Sequence, residues 1–288
     1  MRRGKQDQRQ TRTMFGNIFG ANLSKVGADG FNSLVRRQMG VQNFTYAYNQ
    51  MGVVATLRLA NAGLTDNLTA WQRFLPSGPI ALLPLSDDMS SLVWSTGVAE
   101  AKRLLQLDAS SFVAAVNAAF HKPMPRNTIV DDVMKSVNAL LKQSTGQRLE
   151  AAPVVEGEIP TSRAAFPLGL GHTSTYAGQG VCLIGDAAHR VHPLAGQGVN
   201  LGFGDVQTLV DILAEANYSG MGISNINDLI RYEQQRLRHN VPVLLTTHGL
   251  QQLYTTDFPA TVAIRSIGLT LTNAFPPVKK FLMNYAMS

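Results

Sequence analysis

The sequence predicts an α/β (α+β) fold, with a partial strand-and-helix layer joined to an antiparallel sheet and closed by C-terminal helices. Three observations predict it. An unbroken apolar run, Val181–Ile184, leads through a Gly-rich loop into an apolar-periodic segment, Val199–Ala214. Short apolar runs, separated by Pro, Gly, Ser and Asp clusters, follow one another between residues 53 and 95. Apolar residues then recur at helical spacing in several segments from residue 108 onward. A short continuous run suits a strand buried on both faces, close-set runs a meander, and a period near 3.6 a helix.

The first ordered unit is Leu23–Arg37. Asp29-Gly30 reads there as a turn, and a helix begins near Ser33, Val35 and Arg36. Val53–Leu59 alternates, with Val53, Ala55, Leu57 and Leu59 on one face and Thr56 and Arg58 on the other, as a half-buried strand does. Ala70–Phe74, Ile80–Leu83 and Ser91–Ser95 are further strands of the same meander. Asp108 is placed to cap a helix carrying Phe112, Val113, Val116, Ala119 and Phe120. Ile129, Val133, Val137, Leu140 and Leu141 form a second apolar stripe. Gly157–Phe166 reads as a strand returning to the sheet, with Arg163 solvated or ion-paired. Ile226–His239 is a charged helix, and Pro242 is expected to start a new one over Val243–Tyr254. Ala260–Met287 mixes apolar residues with Arg265, Lys279 and Lys280 around Pro276-Pro277. Such a tail either packs on the domain or lies in a membrane interface as an amphipathic anchor.

With 288 residues, 45% of them hydrophobic and 15% charged, the chain can build one large core or two modest ones. Part of its +6 net charge sits at Arg2, Arg3, Lys5, Arg9 and Arg12, in a stretch (residues 1–22) that reads as a flexible basic tail. No basic stripe is interleaved with aromatics, which argues against nucleic acid; an anionic lipid surface or an acidic protein fits as well. Cys182 is the sole cysteine, so a disulfide within the chain and a cysteine-cluster zinc site are both excluded. Its place in an apolar strand makes it an inert core thiol. No run reaches the ~18 apolar residues of a membrane span, and the first residues lack the apolar core of a secretory signal.

Chemistry concentrates in Gly180–Asp205, GVCLIGDAAHRVHPLAGQGVNLGFGD. A strand, a glycine loop and a helix N-terminus together turn backbone N–H groups toward an anion or a polarised ring. Glycines let that backbone come close, and Asp186 at the strand end is placed to accept hydrogen bonds from hydroxyls. The stretch looks like a cofactor cradle. A metal site on Asp186, His189 and His192 is the competing reading. A His-x-x-His pair needs a helix, however, and Pro193 with the glycines argues for a loop in which the histidines hydrogen-bond the loop or flank the cofactor.

The string resembles the GD motif, followed by P-x-x-G-x-G, of the single-component flavoprotein aromatic hydroxylases. Within them it is most similar to the ubiquinone-biosynthesis FAD-dependent monooxygenases (UbiH/UbiF/VisC-like), in the eukaryotic mitochondrial coenzyme Q hydroxylase branch. Asp29-Gly30 with Ser33, Val35 and Arg36 resembles the DG motif of the same enzymes, in the same order along the chain. The segment AWQRFLPSGPIALLPLSDDMSSLVWS is similar to their substrate-domain sheet. The resemblance implies a flavoprotein aromatic-hydroxylase fold. It has a partial FAD-binding Rossmann-like domain at residues 23–50 and 171–225, a substrate domain mainly at 51–170, and C-terminal helices at 226–288. It places Asp29, Gly30, Arg36, Gly185, Asp186, Pro193, Gly196, Gln197, Gly198 and Asn200 against FAD. Trp71, Phe74 and Trp94 become candidates for a substrate pocket, or else plain core aromatics. No catalytic residue and no metal ligand is assigned.

No GxGxxG is present, so the chain resembles the family in N-terminally truncated form, and weak or absent FAD binding by the chain alone is expected. The activity implied is FAD-dependent hydroxylation of a polyprenylated phenol or benzoate in ubiquinone biosynthesis, at ring position C5, with O2 as co-substrate. Ferredoxin and its reductase are the implied electron donors. The coenzyme Q biosynthetic complex is the implied assembly. The matrix side of the mitochondrial inner membrane, in peripheral contact, is the implied location, without nucleic acid. A non-catalytic subunit that binds prenylated rings or partner proteins, and a hydroxylase of a soluble aromatic, are the alternatives.

Overall fold

The computed structural model describes residues 25–60, 66–123, 132, 135–137, 139, 151–220, 225–256 and 258–287. It divides into two compact units. One comprises Met1–Tyr46, Leu170–Val191 and Gly196–Leu245; the other comprises Ala47–Gly169, His192–Ala195 and Thr246–Ser288. The basic tail expected at residues 1–22 and most of the apolar stripe from Ile129 to Leu141 lie outside the described residues.

The first unit holds a small sheet of β1 (Lys25–Gly27), β9 (Val181–Leu183) and β8 (Ala177–Gly178), in the order β1-β9-β8. β1 runs parallel to β9, and β8 antiparallel to it. Helices α1 (Leu34–Met39), α4 (Gly198–Tyr218) and α5 (Ile226–Tyr254) belong wholly or largely to this unit. Its core joins Cys182, Leu183 and Tyr176 to Leu209 and Ile212 of α4 and to Leu229 and Tyr232 of α5. The Tyr232 hydroxyl donates to the Leu183 carbonyl at 2.8 Å, so the buried phenol keeps a partner. Burial pushes the Cys182 thiol up to about 12, as befits an inert core residue.

The larger sheet contains β2 (Asn43–Leu59), β3 (Trp71–Leu75), β4 (Gly78–Pro84), β5 (Met89–Gly97), β6 (Val155–Glu158), β7 (Ala164–Thr173) and β10 (His189–Arg190). Its strand order is β10-β7-β2-β5-β4-β3, with β6 also paired to β2. The meander expected between residues 53 and 95 is present, and β2–β5, β4–β5 and β3–β4 are antiparallel. Val53, Ala55, Leu57 and Leu59 point to one face, as their alternation predicts. There they form a core with Ile80, Leu82, Leu92, Trp94 and the residues of α2 (Val98–Gln106) and α3 (Ala109–His121). Each fully buried leucine or isoleucine of that face contributes about 1.5–3 kcal/mol. Asp108 caps α3 by accepting from the Ser111 N–H at 2.9 Å.

Two expectations are corrected. Gly157–Phe166 is not one strand. β6 and β7 are separated by a turn at residues 159–163, where Pro160 offers no N–H, Thr161 has φ 62° and Ser162 N–H donates to the Ile159 carbonyl. Arg163, which closes the turn, is ion-paired with Glu158. Nor does Pro242 start a new helix: α5 runs unbroken from Ile226 to Tyr254 with Pro242 inside it. Leu229, Tyr232, Arg236, Asn240, Leu244, Thr247 and Gln251 make one continuous buried stripe, while Pro242 lies on the exposed side. A proline inside a helix costs about 3 kcal/mol, and burial along seven positions outweighs it. α6 (Pro259–Ala274) and α7 (Pro276–Met287) close the second unit.

Candidate functional site

The register of β1 on β9 sets Lys25 opposite Val181, Val26 opposite Cys182 and Gly27 opposite Leu183. The two strands are parallel, so the Asp29-Gly30 and Gly185-Asp186 turns leave from the same, carboxyl ends of neighbouring strands. Ligands of open α/β sheets bind beyond those ends. Asp29 Oδ2 accepts from the Leu34 N–H at 2.6 Å and the Val35 N–H at 3.3 Å, and Ser33 Oγ accepts from the Arg36 N–H at 2.9 Å. Together they begin α1. Partial burial pushes the Asp29 carboxyl up, but the bonds from Ser33, Val35 and Leu34 outweigh it and hold the group below its ordinary value. Arg36 is buried, and its guanidinium donates to the Ala187 carbonyl at 2.7 Å and to the Phe31 carbonyl. It ties one turn to the other.

Gly30, Gly185 and Gly196 have φ of 79°, 57° and 63°, and a Cβ built on any of them meets no atom within 4 Å. These turns therefore need glycine for conformation and leave open space beside the backbone. The Gly185 N–H points inward and donates to Asp205 Oδ2 at 2.8 Å. Asp205, fully buried on α4, also meets His189 Nε2 at 2.6 Å, Arg236 Nε at 2.7 Å and Asn240 Nδ2 at 3.1 Å. Burial raises the Asp205 carboxyl, yet the His189, Gly185 and Arg236 bonds outweigh it and set the carboxyl below its ordinary value. Arg236 Nη2 reaches on to the Leu201 carbonyl at 3.1 Å. A Cβ on Gly204 would stand 2.7 Å from that same nitrogen, so the helix approaches the guanidinium only through a glycine.

Asp186 presents the opposite case. It is exposed in the short Gly185–Ala187 turn. α4 starts at Gly198, and its N-cap, Gln197, contributes no side-chain cap. Gly196, Val199 and Asn200 are exposed there, and Asn200 Nδ2 lies 3.5 Å from Gln197 Oε1. A first turn of this kind offers backbone N–H groups and the positive end of the helix dipole to an acceptor. The first unit thus gathers Asp29, Gly30, Arg36, Gly185 and Asp186 at one strand edge. Gly196, Gln197, Gly198 and Asn200 sit at the helix start. Exposed carboxylate, open glycine backbone and uncapped N–H groups fit the hydroxyls and polar ring edge of a flavin nucleotide.

Pro193 lies in the second unit, in a short turn over Pro193–Ala195. Before it, His192 is fully buried; its Nδ1 accepts from the Leu194 N–H at 3.1 Å and its Nε2 lies 3.3 Å from Gln50 Oε1. The three aromatics of the second unit are not brought together. Trp71 pairs with Leu82, and Trp94 with Val53 and Ile80, on the face that forms the core, whereas Phe74 pairs with Pro79 on the other face. Phe74 stacks on Tyr254 with ring centroids 4.2 Å apart. Both histidines of the central stretch are engaged within the protein, and among the described residues no group of three His, Cys, Asp or Glu is set to hold a metal.

A family model described as an FAD binding domain matches residues 147–244. Over 263 residues the chain is 50% identical to the ubiquinone biosynthesis monooxygenase COQ6, mitochondrial, of Drosophila melanogaster, covering 91% of this chain and 55% of that protein. This chain is a relative of the ubiquinone-biosynthesis monooxygenases. Its identity to the Homo sapiens protein of the same name is 47% over 264 residues, with 91% and 56% covered. The chain therefore spans about half the length of the curated ubiquinone-biosynthesis monooxygenases it matches. Among solved structures, Pseudomonas aeruginosa PqsL in complex with 2-aminobenzoylacetate superposes with a TM-score of 0.59 at 22% identity, over 83% of this chain and 58% of that one. That likeness is one of fold. The expected α/β (α+β) flavoprotein-hydroxylase fold and the family resemblance are borne out, and the FAD binding domain match agrees with FAD as cofactor.

Sequence reasoning toward this relative of the ubiquinone-biosynthesis monooxygenases missed Asp205, Arg236, Asn240 and Gln50. A signal existed for three of them. Asp205 stands on the apolar stripe Leu201, Leu209, Ile212 of α4, and Arg236 and Asn240 stand on the apolar stripe of α5. A charge on an apolar face demands a partner, and here each supplies the other's.

Proposed function

We propose that the chain acts in FAD-dependent hydroxylation of the aromatic ring of a polyprenylated phenol or benzoate in ubiquinone biosynthesis, at ring position C5. The reading rests on the parallel pair β1 and β9, whose carboxyl ends carry Asp29-Gly30 and Gly185-Asp186, in a chain half identical to a mitochondrial COQ6 monooxygenase. The open glycine turns and the exposed Asp186 support FAD as the occupant.

FAD, when bound, supplies the redox chemistry that activates O2 for transfer of one oxygen atom to the ring. The protein's own groups bind and orient. Asp186 accepts hydrogen bonds from the ribityl or ribose hydroxyls. The Gly30 and Gly185 turns let backbone approach the nucleotide, and Asp29 and Arg36 hold those turns in shape. The first N–H groups of α4, at Gly198 and Asn200 with Gly196 and Gln197 before them, would hold the electron-rich edge of the flavin ring. In the second unit, Phe74 stacked on Tyr254 offers a flat apolar wall for an aromatic ring.

Ferredoxin and its reductase are the proposed electron donors, and the coenzyme Q biosynthetic complex the proposed assembly. The proposed location is the matrix face of the mitochondrial inner membrane, in peripheral contact. The relatives' names place them in mitochondria. Residues 258–288 contain no Asp or Glu; Ile264 and Leu271 of α6 and Phe275 just after it are exposed, as are Lys279 and Lys280. No helix among the described residues is long and apolar enough to cross a membrane, so this contact lies in the interface plane.

The test is the visible absorption spectrum of the purified chain after incubation with FAD and desalting, followed by turnover with a reductant and a prenylated hydroxybenzoate. With no GxGxxG in the chain, flavin is expected to bind weakly and wash out on desalting, and the ring to be hydroxylated only with FAD kept in excess. A chain that retains flavin but hydroxylates only unprenylated phenols overturns the substrate assignment. A chain that shows no FAD binding at all by fluorescence titration overturns the cofactor reading for this chain.

A further inference from the structure

The connector that carries Pro193 is held by a buried polar cluster that the cofactor reading does not use. Leu194 is bound at both backbone groups: its N–H donates to His192 Nδ1 at 3.1 Å, and its carbonyl accepts from Gln72 Nε2 at 3.3 Å. A backbone N–H can only donate, so Nδ1 carries no proton and the neutral ring carries its proton on Nε2. That N–H faces Gln50 Oε1 at 3.3 Å. The Gln50 amide has one orientation, because its Nε2 donates to the Ser77 carbonyl at 2.9 Å while its Oε1 also accepts from Gln251 Nε2 at 3.1 Å. The Tyr48 ring meets the His192 ring edge-on, with centroids 4.9 Å apart, and the Tyr48 hydroxyl lies 3.0 Å from His248 Nδ1. His192, Gln50, Gln251 and Tyr48 are all buried. Burial pushes the His192 imidazole down to about 4, so the neutral form that this geometry needs is the one present at neutral pH.

Burying the polar side chains of His192, Gln50 and Gln251 is a costly way to hold an ordinary turn, because each buried group needs a partner. We propose that Gln50, His192 and Gln72 are positioning residues, which fix the connector His192–Ala195 in one conformation and so hold Pro193, the residue that the family resemblance assigns to the flavin, in one place. The second half of this statement rests on the flavin reading above; the first half does not.

The experiment separates the two. Amide hydrogen exchange at Leu194, read by NMR on the whole chain, reports the connector with no flavin added. His192→Leu and Gln50→Leu are expected to speed that exchange by at least about tenfold. His192→Asn is expected to restore protection, since an Asn Oδ1 accepts from the N–H two residues on. Gln72→Ala removes the other bond from an exposed residue and cannot unfold the sheet. Unchanged exchange in Gln72→Ala and in any folded His192→Leu or Gln50→Leu variant overturns the clamp. With FAD added, the same variants are expected to raise the flavin Kd and lower kcat by about tenfold or more, with KM for the aromatic little changed. A freed connector with unaltered flavin affinity and turnover overturns the positioning role. If the unmodified chain shows no FAD binding in titration, the cofactor reading fails, and the exchange data alone still decide the clamp.

Discussion

Nε2 of His189 lies 2.6 Å from Oδ2 of Asp205, and the two side chains are among the most deeply buried polar groups of the protein. The same oxygen accepts the Gly185 N–H, so one carboxylate fixes both the glycine that opens the GD turn and the histidine that follows it. Its other oxygen is satisfied by Arg236 and Asn240.

Asp205→Ala removes the acceptor for four donor groups, those of Gly185, His189, Arg236 and Asn240, and leaves the Arg236 guanidinium uncompensated. Breaking a buried pair in this way costs about 3–5 kcal/mol. Urea unfolding should show a loss of that order, and a loss below about 1 kcal/mol would mean that the network is dispensable. The folded-state value of this carboxyl lies below its ordinary 3.8. Its stabilisation is therefore fully present above that value and is lost as the pH falls through the lower, folded value.

His192 acts in a different pH window. Its folded value, about 4, lies below its ordinary 6.5. The unfolded chain therefore binds the proton first, and stability falls as the pH drops from about 6.5 toward 4, by at most about 3 kcal/mol. His192→Asn has no such group. Unfolding free energies of the two proteins, measured between pH 7 and 5, should converge toward the acid end. Parallel curves would show that His192 is not held neutral.

Asp186→Ala tests the cofactor site with little risk to the fold, because the side chain is exposed. Stability should stay within about 0.5 kcal/mol of the parent. FAD affinity, by fluorescence titration, should fall at least about tenfold through the lost charge-assisted bonds. Equal affinity would remove Asp186 from the site.

Arg163 carries the turn between β6 and β7. It pairs with Glu158, donates to the Leu104 and Leu107 carbonyls at 2.8 and 2.7 Å, and lies 3.9 Å from the Phe112 ring centroid. Lysine can reproduce neither the fork nor the stacking. Arg163→Lys should cost about 2 kcal/mol and Arg163→Ala about 3–5 kcal/mol in thermal or urea unfolding. Equal stability of the lysine variant would reduce the site to a point charge.

Membrane contact is open to a flotation assay with phosphatidylcholine vesicles with and without phosphatidylglycerol. Binding should need the anionic lipid, and both Ile264→Glu and the Lys279→Glu, Lys280→Glu pair should abolish it. Binding that survives both substitutions would place the contact elsewhere on the protein.

Local chemistry was legible in the sequence. The apolar run at Val181, the Asp-Gly and Gly-Asp turns, the Asp108 cap and the alternation of Val53–Leu59 each depend on neighbours a few residues away, and each stands in the structure as read. Other features were decided only by tertiary structure. β1 and β9 lie about 150 residues apart in sequence, and no local pattern says that they pair in parallel. Trp71 and Phe74 stand three apart in one strand, so alternation alone sends them to opposite faces, whereas only the register across β4 brings Trp94 to the face of Trp71. Pro242 signals a helix start in isolation. The buried stripe from Leu229 to Gln251 overrides it, because packing along the whole helix exceeds the cost of one missing hydrogen bond. Asp205 stands in the sequence only as the last residue of the Gly180–Asp205 stretch. It became the centre of a buried network only when α4, α5 and the GD turn met around it.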